Sequence, residues 1–149
     1  MKSASVENPE GAAALQISKS LVDTMNYYAH SVGIAAPQIG ILSRIVAVDA
    51  RRAKRPCKNS GLLILANPEI SAEERKIVFR EGCMSVPGFH AYVERAARIK
   101  VKAFDMVSKK IREFESEGFE AVVLQHEIDH LDGILFIDRK IVDLDKKIL

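Results

Sequence analysis

The chain has 149 residues, 48% of them hydrophobic and 28% charged, which suits one soluble domain (1–149) around a single core. A formal net charge of +2 is too small to point to a specific nucleic-acid partner or an anionic membrane surface. No stretch is long and apolar enough to span a bilayer and no signal-peptide core opens the chain. The two cysteines, Cys57 and Cys83, make no disulfide framework, so the cytoplasm is the expected compartment.

Residues 1–8 read as a loose terminus. Asn8-Pro9-Glu10 then looks like a helix start, with Asn8 as cap and Pro9 in the first turn. Ala14, Ile17, Leu21, Met25 and Tyr28 recur at helical spacing, which predicts one amphipathic helix over 9–30. Gly33 to Gly40 is rich in small residues and carries Pro37, so its backbone can run close to a ligand or to another element. Gln38 is the one long polar side chain there, and an amide in a pocket can donate to an oxyanion.

Two β-rich apolar runs follow, 44–49 and 62–68. A basic loop holding Arg51-Arg52-Ala53-Lys54-Arg55-Pro56 joins them, which predicts a hairpin-like pair. The loop reads as solvated surface, with a ribosome-facing patch as the alternative. Residues 69–80 are expected to form another strand pair turning near Glu73-Glu74. Segments 92–95, 99–104 and 111–115 alternate apolar and polar, as strands with one wet face do. Ile134 to Ile137 is expected as a short closing strand and 143–149 as a frayed turn.

The chemistry concentrates in Gln125-His126-Glu127-Ile128-Asp129-His130. Residues four apart share a helix face, so His126 and His130 can aim two ring nitrogens at one metal ion. Glu127 is placed to take a proton from an attacking water rather than to bind the metal. Alone, the pattern fits a charged helix face with solvated histidines almost as well. Phe119, Val122 and Val123 continue the same stripe upstream, however, and that sets the histidines beside an apolar wall. A third protein ligand is needed. Cys83, in Glu81-Gly82-Cys83-Met84-Ser85, ranks first as a thiolate donor. Cys57, His30, His90 and a carboxylate are the alternatives.

Three separated stretches together resemble the peptide deformylases: Ser31-Val32-Gly33-Ile34-Ala35-Ala36-Pro37-Gln38, Glu81-Gly82-Cys83-Met84-Ser85, and Gln125 to His130. The similarity extends through most of 30–140. It implies an α+β fold in which antiparallel β-sheets wrap a central metal-binding H-E-x-x-H helix, with the N-terminal helix packed against them. It implies a metal-dependent hydrolase that removes formyl from N-formylmethionyl nascent peptides and releases formate. The divalent metal, Fe2+ first and Ni2+, Co2+ or Zn2+ as replacements, would sit on Cys83, His126 and His130. Glu127 would be the general base and acid. The Gln38 side chain and the Met84 backbone N–H would bind the carbonyl oxygen, and the substrate contacts would be Val32, Gly33, Ile34, Phe119, Val122 and Val123.

A monomer or weak dimer taking its substrate at the ribosome completes the expectation. The pattern departs at Ser31, where the family carries glycine, and a positive φ there would strain serine. The chain also begins late relative to the family and lacks a long C-terminal helix. Those departures keep two alternatives open: a divergent hydrolase for another N-formyl amine, and a catalytically weak metal-binding homologue.

Overall fold

The computed structural model describes residues 1–83 and 85–143. In chain order these form helix α1 (Ala12–Tyr27), strands β1 (Gly33–Ala35), β2 (Ile45–Asp49), β3 (Leu62–Cys83), β4 (Val86–Asp105) and β5 (Lys110–Glu117), helix α2 (Gly118–Leu131), and strand β6 (Lys140–Asp143). The strands make one antiparallel sheet in the order β1-β2-β3-β4-β5, with β6 on the far end of β4. Among the described residues no helix is long and apolar enough to cross a membrane.

Strand β2 shows why the sheet holds two helices apart. All five of its residues are buried, and successive side chains point to opposite faces. Val46 and Val48 pack with Leu63, Leu65, Ile99, Val101 and Leu124, on the side of α2. Ile45 and Ala47 join Leu21 and Met25 of α1 on the other side. Helix α2 is therefore enclosed: every residue from Glu120 to Leu131 is buried. Gln125 fixes it to β4 by a two-way bracket, accepting from Ala96 N–H and donating to Ala96 C=O at 2.9 Å each.

Several sequence expectations are corrected. Residues 1–8 are anchored rather than loose. Ser3 N–H donates to Leu131 C=O at 2.7 Å, Ala4 bridges Ser43, and the Asn67 amide clasps both backbone groups of Val6. Helix α1 starts at Ala12, because Asn8 to Gly11 closes a separate turn through Gly11 N–H to Asn8 C=O. It ends at Tyr27, where the Arg52 guanidinium caps the Met25 and Tyr28 carbonyls.

Residues 69–80 form no strand pair. They continue β3 into one long hairpin with β4, and Glu74 lies opposite Arg98, 3.5 Å away across the strands. The acidic pair resembles a turn only because both faces of this stretch are wet. Residues 134–137 are not a strand either. Phe136–Arg139 is a 3₁₀ turn whose Asp138 carboxylate accepts from Leu135 N–H, and Phe136 is buried. Met84 and most of the 143–149 tail lie outside the described residues.

Candidate metal centre

The end of the long hairpin folds over α2. Residues two apart on a strand share a face, so Phe79, Glu81 and Cys83 all turn toward that helix. Each arrives at something. Phe79 meets the Phe119 ring, with centroids 5.7 Å apart; the Glu81 carboxylate accepts a hydrogen bond from His126 Nδ1 at 2.7 Å; and Cys83 Sγ lies 3.4 Å from His130 Nε2. The ligand atoms of Cys83, His126 and His130 all fall within 4.8 Å of one another.

On α2 the i, i+4 spacing brings the two imidazoles together, with ring centroids 5.0 Å apart. Phe136 stacks on His126 from outside. The helix then stops in a Schellman motif: Ile134 N–H bonds to Asp129 C=O and Gly133 N–H to His130 C=O. Gly133 has φ +74°, which only glycine holds without strain, so the residue fixes the last turn carrying His130.

Behind the cluster lies a buried charge network. Glu81 accepts from both Nε (2.7 Å) and Nη2 (2.9 Å) of Arg95, and Arg95 Nη1 donates to Asp129 at 2.6 Å. Arg139 closes the chain on Asp129. Burial alone would raise the Glu81 carboxyl, but its bonds to Arg95 and His126 hold it below the usual glutamate range. The network thus holds His126 by its Nδ1 proton and leaves Nε2 for the centre.

Burial pushes the Cys83 thiol up, yet hydrogen bonds from His126, His130 and the Ser85 N–H bring it down to about 5. For His126 burial opposes the cation, but Cys83, Glu81 and Glu127 together push it up to about 10. The metal-free site is a thiolate–imidazolium pair at neutral pH, ready to exchange a proton for a metal. Binding a divalent cation should then release about one proton, and affinity should rise with pH. Calorimetry at pH 7 in buffers of different ionisation enthalpy reads this number; a release of none or of two would contradict a site that holds one displaceable proton between Cys83 and His126.

Glu127 faces the same space. It is 4% exposed, and its Oε1 has no hydrogen-bond partner among the described residues. Burial holds its carboxyl above the usual glutamate range, despite His126 and His130 nearby. Opposite stands Gln38, oriented because its Oε1 accepts from Ala35 N–H at 2.9 Å, which turns Nε2 toward Ser85 Oγ (3.2 Å) and Cys83 Sγ (3.6 Å).

Gly33 closes in on Glu127 so nearly that a Cβ would lie 2.9 Å from Oε2 and 2.8 Å from Val123 Cγ1. Ser31, the departure from the family pattern, has no positive φ and is unstrained; its hydroxyl donates to Gly33 C=O. A cavity of about 190 Å³ opens beside these groups, with Val32, Gly33, Phe119, Val122 and Val123 among its walls.

Ile34 does not join them. Asp49 N–H bonds to Val32 C=O, so in the antiparallel register the backbone groups of Ile34 also face β2, and its side chain is buried against α1. The expectation that Ile34 contacts substrate is corrected by that alternation. Met84, the other expected oxyanion donor, lies outside the described residues.

Sequence reasoning assigned no role to Glu81 and Phe79, although period-two spacing from Cys83 marks both. The sequence offers Arg95 or Arg98 as a partner of Asp129 and a surface charge as the commoner place for either; Arg95 is the one buried, between Glu81 and Asp129.

A model of the polypeptide deformylase family matches residues 1–147. The chain belongs to that family. It is similar to the peptide deformylase of Thermodesulfovibrio yellowstonii, with 46% identity over 120 residues that cover 80% of this chain and 70% of that one. Among solved structures, a ligand-bound class I type b peptide deformylase from Acinetobacter baumannii superposes with a TM-score of 0.83 at 34% identity, covering 93% of this chain and 90% of that one. The Met-Ala-Ser-bound form of that deformylase gives 0.79 over 93% and 87%. The metal-dependent hydrolases of the deformylase family thus share the α+β architecture, an antiparallel sheet with two helices, seen in this chain.

Proposed function

We propose that this chain hydrolyses the formyl amide of N-formylmethionyl peptides, releasing formate and a free N-terminus. The observation that carries this reading is the buried Glu127 carboxylate, with one oxygen unpartnered, set between the Cys83–His126–His130 cluster and an apolar cavity. A site that only stapled the fold would have no use for that carboxylate or for an aimed Gln38 amide.

The donor set fits a divalent metal: one thiolate and two imidazoles suit Fe2+, Co2+, Ni2+ or Zn2+, and Fe2+ is our choice. Bound there, it supplies the Lewis acidity that makes water a nucleophile near neutral pH.

The remaining work falls to the chain. Glu127, its proton affinity raised by burial, takes the proton of the attacking water and delivers it to the leaving nitrogen. Gln38 Nε2 donates to the carbonyl oxygen as negative charge grows on it. Strand β1 is the edge of the sheet, and its register turns the Gly33 N–H outward, so a peptide backbone can lie alongside as a further strand. The methionine side chain then enters the cavity along Val32, Phe119, Val122 and Val123. With this reading go a cytoplasmic location and a ribosome as the source of substrate.

The test is formate release from N-formyl-Met-Ala-Ser by iron- or nickel-loaded protein, set beside acetate release from N-acetyl-Met-Ala-Ser. Turnover of the formyl peptide alone is expected, because a formyl carbon carries only hydrogen. Failure to release formate with metal bound would overturn the proposal.

A further inference from the structure

The cavity does not end at the methionine walls. It shares His30, Val32, Phe79 and Phe119 with a larger groove of about 950 Å³ that runs between the basic loop and the end of the long hairpin. Among the described residues the groove walls include Arg52, Lys54, Arg55 and Arg80 and no aspartate or glutamate. On a chain whose formal net charge is only +2, that is a local concentration of one sign.

The four cations are not equivalent. Arg52 is committed to the end of α1, where it bonds to Asn26 and to the Met25 and Tyr28 carbonyls. That attachment also pins the loop in place. Nearby, Arg51 pairs with Asp49 and Lys58 with Glu117. Lys54, Arg55 and Arg80 are exposed, and none forms an ion pair among the described residues. The groove meets the cavity at His30 and Val32, just before β1, so a peptide that pairs with β1 and runs antiparallel to it would leave the methionine cavity toward Lys54, Arg55 and Arg80.

We infer that Lys54, Arg55 and Arg80 select for acidic side chains at the third and fourth residues of the formylated peptide. The inference rests on the proposed deformylase reading and adds a substrate preference to it. Exposed charge pairs are individually weak, so two or three acting together should favour acidic over basic peptides about three- to tenfold in kcat/KM at low salt. Screening should erode the preference as salt rises.

The experiment compares N-formyl-Met-Ala-Asp-Glu-amide, N-formyl-Met-Ala-Ser-Ser-amide and N-formyl-Met-Ala-Lys-Lys-amide with the metal-loaded full chain; amidation removes the terminal carboxylate. The expected order is acidic, neutral, basic, with the acidic-to-basic ratio falling toward one in high salt and in the Lys54→Gln/Arg55→Gln variant. A ratio at or below one with the neutral peptide still turned over overturns the inference and leaves the deformylase reading standing. A preference unaffected by both salt and substitution also overturns it. No turnover of any peptide removes both.

Discussion

Glu127→Gln should lower kcat for formate release by about 10²- to 10⁴-fold, the range a positioned proton carrier contributes. It should also raise the melting temperature of the metal-free protein at neutral pH. The two effects share one cause. Glu127 is buried, one of its oxygens is unpartnered, and its carboxyl titrates above the ordinary glutamate range. A group whose native pKa exceeds its unfolded one binds its proton more tightly in the folded state. Its contribution to stability is therefore full below the unfolded pKa and is lost as pH rises through the folded one. Glutamine keeps the shape and never ionises, so the gain over wild type should grow as pH climbs above the ordinary carboxylate range. Metal content should be unchanged, since Glu127 is outside the Cys83–His126–His130 set. A variant with wild-type turnover would refute the proton-carrier role, and one less stable at neutral pH would refute the burial argument.

Arg95→Met should cost about 3–5 kcal/mol of folding stability in urea or thermal unfolding, because it removes the buried cation between two buried carboxylates and leaves Glu81 only His126 and Asp129 only the more exposed Arg139. It should also weaken metal retention about 10- to 100-fold, since Glu81 orients His126 through Nδ1. Arg98→Met supplies the contrast. Its side chain is 41% exposed against 3% for Arg95, and its bonds to Glu74 and Glu117 are long, so less than about 1 kcal/mol should be lost. If the two variants behaved alike, the network behind the histidines would not be supporting the site.

That pair of arginines also marks where the sequence stops speaking. The H-E-x-x-H spacing places two imidazoles on one helix face, and the glycine-flanked Cys83 is legible as the third donor. Whether Arg95 or Arg98 meets Asp129 depends on which face of β4 lies against α2, and that is settled by tertiary packing. Ile34 errs for the opposite reason. Its neighbour Gly33 faces Glu127, so strand alternation already turns Ile34 toward α1 once β1 is known to be a strand.

The long hairpin was hidden because Glu73 and Glu74 look like turn residues. They are held in strand by pairing with β4 and not by any apolar pattern of their own. The anchoring of residues 1–8 likewise depends on Asn67, sixty-one positions from Val6, a contact no local window reveals.

The measurement closest to the centre of all this is formate release from N-formyl-Met-Ala-Ser while metal-free protein is titrated with nickel. Activity should be absent at the start, rise in proportion to added metal and break at one equivalent per chain, with Cys83→Ser showing no such break. Full activity before any metal is added, or none once one equivalent is bound, would contradict a single catalytic cation held by Cys83, His126 and His130.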